Sequence, residues 1–243
     1  MSTTSATRPR FDRLDALRGV AVLWMAAFHF SFDLSHLGYT HQDFYRDPVW
    51  TRQRVAILSL FLLCAGAGQA VAVAQGQTWA RFAQRGWRIA ACAVLVSAGS
   101  WLMFPQSYIS FGVLHGMAVM LLLLRAGAAL PGRVWLAVGA VALALPWFVA
   151  DPLFDTRAGN WVGLVTHKPI TEDWVPVLPW LGVMVAGLLA GRWLLARRPA
   201  WLNGALPAAC QPLVWLGRHS LGFYMLHQPV FIGGLMALKS LQG

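Results

Sequence analysis

The chain has 243 residues, 58% of them hydrophobic and only 12% charged, with a formal charge of +10 and a mean hydropathy of +0.56. Soluble domains carry roughly 25% charged residues, so the composition excludes an ordinary soluble enzyme. The basic residues are scattered over short loops, which also excludes nucleic acid as a partner. Apolar segments fill the chain almost end to end, and residues 1–243 read as one integral-membrane unit with lipids as its surroundings.

The expected fold is all-α, a polytopic bundle of about seven transmembrane helices, because a helix bonds its own backbone groups within hydrocarbon. The first segment, Leu14–Leu37, carries the most informative pattern: Arg18, ten residues, then His29, with Asp33 four further on. A cation at the entrance and an imidazole about 16 Å deeper are costly to hold in lipid, which points to chemistry. Asp33 shares a helical face with His29, where its carboxylate would fix the imidazole tautomer. Asp15 stands three residues before Arg18 and suits an ion pair that aims the guanidinium.

The second segment, Val55–Gln75, contains the run Ala65-Gly66-Ala67-Gly68, suited to packing helices within one chain or across a homodimer. The third, Trp87–Phe104, is preceded by Arg85 and includes Arg88. Spaced three apart, the two share a helical face at the membrane surface and can close on one pyrophosphate. Phe111–Leu124 is short for a span and starts near His115, a candidate second base that would approach His29. Val134–Ala150 precedes the longest hydrophilic loop, Asp151–Pro176. There Asp173 and Trp174 suit a sugar, the ring stacking on its apolar face and the acid bonding its hydroxyls. The sixth segment is Val177–Leu195, and the seventh, Leu213–Leu238, holds His227 beside Pro229, where a kink would open backbone to a polar cavity.

With the amino terminus in the cytoplasm, Arg8, Arg10, Arg13, Arg18, Arg81, Arg85, Arg88, Arg125, Arg133, Arg192, Arg197, Arg198 and Arg218 lie inside. Arg46, Arg52, Arg54, Arg157, Lys168 and Lys239 lie outside. Positive charge gathers on the cytoplasmic side of membrane proteins, so this orientation is expected. No small-residue cleavage site follows the first segment, which is read as an uncleaved span. Cys64, Cys92 and Cys210 form neither a disulfide framework nor a metal knuckle, and no histidine pair has a third ligand nearby, so no metal is expected.

The opening Arg13-Leu14-Asp15-Ala16-Leu17-Arg18-Gly19-Val20-Ala21-Val22, continuing to His29 and Asp33-Leu34, resembles bacterial relatives of the heparan-α-glucosaminide N-acetyltransferase catalytic domain. It is also similar to the wider transmembrane acyltransferase superfamily that includes the acyltransferase-3 group. The similarity continues in Phe111-Gly112-Val113-Leu114-His115-Gly116, in Asp173-Trp174-Val175-Pro176-Val177-Leu178-Pro179-Trp180, in Leu216-Gly217-Arg218-His219-Ser220-Leu221 and in Tyr224-Met225-Leu226-His227-Gln228-Pro229. The resemblance implies transfer of an acetyl or other acyl group from cytoplasmic acetyl-CoA or another acyl-CoA to a sugar or glycolipid acceptor in the cell inner membrane. His29 then matches the catalytic histidine and Arg18 its companion, while Arg85 and Arg88 match paired arginines associated with acyl-CoA. On the residues alone His29 acts as a general base or carries the acyl group itself. Two other functions stay open: a transporter using the intramembrane His, Asp and Arg as its path, and a haem protein with His29 and His115 as axial ligands.

Overall fold

A computed structural model describes residues 11–242; Arg8 and Arg10, counted above with the cytoplasmic basic residues, lie outside them. Nine α-helices follow in order among those residues: α1 (Asp12–His36), α2 (Pro48–Ala74), α3 (Trp79–Met103), α4 (Val113–Ala126), α5 (Gly132–Ala144), α6 (Val177–Arg197), α7 (Pro199–Asn203), α8 (Gln211–Arg218) and α9 (Ser220–Gln242). No strand forms among them, and one isolated parallel bridge joins Phe111 to Trp174. The starts are chemically marked. Asp47 accepts from the Val49 amide ahead of Pro48 in α2, and Thr78 accepts from the Arg81 amide in α3, each satisfying an orphan donor of the first turn.

Five helices, α1, α2, α3, α6 and α9, are long and apolar enough to cross a membrane, fewer than the seven expected from the sequence. The difference lies in α4 and α5, whose 14 and 13 residues give lengths of about 20 Å against a hydrocarbon core of roughly 30 Å. A correction concerns the last segment. The chain breaks at His219, between α8 and α9, while Pro229 lies inside α9.

Small residues set the packing. A Cβ on Gly19 would collide with the Leu213 carbonyl, and one on Gly217 with that of Asp15, so α1 and α8 touch backbone to backbone. Gly66 meets the Met184 carbonyl and Gly187 that of Leu63, giving α2 and α6 the same close approach. The small-residue run of α2 is thus used within the chain. Around that crossing sits the main core, with Leu62, Met120, Leu124, Met184 and Leu188 almost wholly buried. Arginines tie one end of the bundle together. Arg125 donates to the Gln77 carbonyl and lies 4.5 Å over the Trp79 ring, and Arg192 donates to the carbonyls of Leu130 and Ala128. This basic face also carries the starts of α1 and α3; the long 145–176 loop occupies the opposite face.

Candidate functional site

Helices α1 and α9 pack side by side and bring together two histidines. His29 Nδ1 lies 2.7 Å from His227 Nε2, with ring planes 15° apart. The other His227 nitrogen, Nδ1, is 2.7 Å from the Tyr224 carbonyl. A carbonyl only accepts, so His227 Nδ1 carries a proton and the neutral ring offers a lone pair at Nε2. His29 Nδ1–H therefore donates to it. The unprotonated atom of the pair is His29 Nε2, which has no hydrogen-bond partner among the described residues. Phe223, Tyr224 and Phe231 surround the His227 ring and hold its orientation, while Phe28 flanks His29.

Asp33 is placed differently from expectation. Its Oδ1 accepts from Gln228 Nε2 at 3.3 Å, and the i+4 contact with His29 is replaced by His227, which reaches the ring from 198 positions away in the chain. Both Asp33 Oδ2 and Gln228 Oε1 are buried without a partner.

The expected approach of His115 to His29 is likewise replaced. Its Nδ1 accepts from the Gly112 amide at 3.2 Å, and its Nε2 is 3.2 Å from Ser97 Oγ, which donates to the Ile109 carbonyl. Both ring nitrogens are thereby engaged in holding the start of α4 against α3. They offer no free lone pair to a reacting group or to the haem iron that would need both rings as ligands.

At the basic face, Arg18 bonds Asp15 at 3.0 Å, and Arg218 bonds Asp12 at 2.7 Å and Asp15 at 3.4 Å. Arg18 also faces Gly68 of α2. Arg85 lies within electrostatic range of both Arg18 and Asp15, so the first span and the start of α3 share one basic mouth. Arg85 and Arg88 are exposed, and neither forms an ion pair among the described residues.

Asp173 and Trp174, the residues expected to bind sugar, each bond within the loop face. Asp173 Oδ2 accepts from the Val113 amide at 2.7 Å, capping α4, and a Cβ on Gly112 would collide with that carboxylate. Trp174 Nε1 donates to the Asn160 carbonyl. Burial raises the Asp173 carboxyl above the ordinary range, against the amide bond from Val113 and the charges of Arg54 and Lys168. Gln228 was missed from the sequence; the signal available was its position beside His227, with no polar periodicity to single it out.

Apolar helices that enclose an imidazole pair, with a basic mouth on one face, define the candidate site of a membrane-embedded protein. The chain matches the family model described as heparan-alpha-glucosaminide N-acetyltransferase, catalytic, over residues 10–229, and it belongs to that family. Membership gives it a membrane acetyltransferase-like function. No curated protein and no solved structure matches the chain significantly.

Proposed function

We propose that the protein transfers an acetyl or other acyl group from cytoplasmic acyl-CoA to a sugar, glycan or glycolipid acceptor, with its amino terminus in the cytoplasm of a cell inner membrane. The observation that carries this reading is the one-way hydrogen-bond chain from His29 through His227 to the Tyr224 carbonyl. It leaves His29 Nε2 as a base whose tautomer is fixed before substrate arrives.

In the reaction, the acceptor's O–H or N–H attacks the thioester carbonyl, and His29 Nε2 removes its proton as the new bond forms. The C–S bond then breaks, and the same nitrogen returns the proton to the coenzyme A thiolate, so His29 ends as it began. While protonated, the ring shares its charge with His227 through the Nδ1–H bond. Arg85 and Arg88, unpaired at the basic mouth, suit the phosphates of the coenzyme, with Arg18 beside them. Ten helical residues separate Arg18 from His29, a rise of about 16 Å, a distance that a long pantetheine arm bridges from the phosphates to the thioester.

The decisive experiment is transfer from radiolabelled acetyl-CoA by purified protein. His29→Ala should abolish transfer while the protein stays monodisperse in detergent; full activity in that variant removes the base from the mechanism. The double variant Arg85→Ala, Arg88→Ala should raise the acyl-CoA KM by about tenfold or more, as expected for two lost charge-assisted contacts. An unchanged KM would return both arginines to the membrane surface alone.

A further inference from the structure

Within one turn of the histidine pair, three hydrogen-bond acceptors stand without donors. His29 Nε2 is one; the others are Asp33 Oδ2 and Gln228 Oε1, each in a buried position. Asp33 lies four residues beyond His29 on α1 and is only 3% exposed, and Gln228 follows His227 on α9. Their mutual bond, Gln228 Nε2 to Asp33 Oδ1, uses one oxygen of the carboxylate and leaves its partner oxygen and the amide oxygen empty. Buried polar atoms are almost always satisfied, and an unpaired one costs about 1–3 kcal/mol. Two together, one on a carboxylate, mark a place prepared for a ligand that brings donors.

No group of three His, Cys, Asp or Glu side chains among the described residues is arranged to hold a metal, so O–H donors fit better than a cation. Adjacent hydroxyls of a sugar ring put donors on separate atoms, matching oxygens that come from separate side chains on two helices. On the neighbouring turn of α1, Phe32 and His36 line an open depression of the loop face, about 360 Å³ in volume, together with His41, Asp43 and Tyr45. The acceptor side of the site is thus next to the face opposite the basic mouth.

We infer that Asp33 and Gln228 form the acceptor-binding subsite, Asp33 Oδ2 and Gln228 Oε1 accepting from two adjacent hydroxyls of a sugar while His29 Nε2 faces the group that is acylated. The assignment of this sugar as the acyl acceptor rests on the acyl-transfer reading; the binding itself does not.

The test is calorimetric titration of the full chain in lipid nanodiscs with methyl β-D-glucopyranoside. A second probe, tetrahydropyran-2-methanol, keeps a six-membered oxygen ring but has a single hydroxyl. Wild type should bind the glucoside at least about tenfold more tightly than the one-hydroxyl ring. Asp33→Asn, which presents an N–H where an oxygen accepted, and Gln228→Leu, which removes the amide, should each weaken glucoside binding by about tenfold or more. Equal binding of the two probes by wild type, no glucoside binding at all, or a folded variant that binds like wild type overturns the subsite. Where a variant fails to fold, the comparison of probes on wild type decides. Glucoside binding by a wild-type protein that moves no label from acetyl-CoA would sink the acyl-transfer reading and leave the subsite standing.

Discussion

His227 spends one nitrogen on a backbone carbonyl and the other on His29, so its chemistry is that of a positioning residue. Replacing it by phenylalanine keeps an aromatic ring among Phe223, Tyr224 and Phe231 but removes the acceptor that fixes the His29 tautomer. Partners of this kind are worth roughly 10–100-fold where they orient a functional imidazole. His227→Phe should therefore lower kcat by that factor with little change in acyl-CoA KM, and should move the acid limb of the pH–rate profile, because the His29 imidazolium loses its hydrogen-bond acceptor. A profile and rate like wild type would make His227 a packing residue. At this scale the sequence was half legible. The spacing from Arg18 to His29 put both residues on one helix, α1, since helical periodicity is local. The same local rule pointed to Asp33 as the partner, whereas the ring that meets His29 comes from α9, and no periodicity within one helix reports a contact between two.

Helix boundaries follow a similar division. Apolar runs revealed every long helix, but the break between α8 and α9 at His219 and the continuity through Pro229 come from tertiary packing. Gly217 lies against the Asp15 carbonyl, which seats α8 flat on α1. Gly217→Ala puts a methyl group into that carbonyl and should destabilise the fold by about 1–3 kcal/mol or more, read as a lower unfolding temperature in detergent; an unchanged temperature would mean that the two helices do not cross there. The start of α4 gives a prediction in pH. Burial raises the Asp173 carboxyl above its ordinary value of 3.8, so the folded state holds a proton that the unfolded state has released. Stability from this group is full below pH 3.8 and declines as pH rises through the window above it. Asp173→Asn keeps an oxygen for the Val113 amide and does not titrate. The stability of wild type relative to this variant should fall as pH rises from 3.8; a pH-independent difference would show that the carboxyl titrates alike in both states.

For the molecule as a whole, the two faces differ in chemistry, and function depends on which solution each one meets. The basic mouth gathers Arg18, Arg85 and Arg218, with Arg88 exposed three residues beyond Arg85 on α3, a surface suited to anionic phosphates. The opposite face gathers the 145–176 loop, in which Asp155 accepts from both the amide and the hydroxyl of Thr166. Counting spans in a bundle of five long helices and two short ones relates the two termini to each other and does not fix the orientation. The proposed orientation, with the mouth in the cytoplasm, rests instead on the distribution of arginine. Ile170 in the loop is 86% exposed and offers a reporter. In a chain with Cys64, Cys92 and Cys210 replaced by alanine, Ile170→Cys should react with a membrane-impermeant maleimide in right-side-out vesicles and be protected in inside-out ones. The reverse pattern would put the arginine mouth on the side away from coenzyme A, and a donor supplied from the cytoplasm would then have to reach His29 past the Asp33–Gln228 pair.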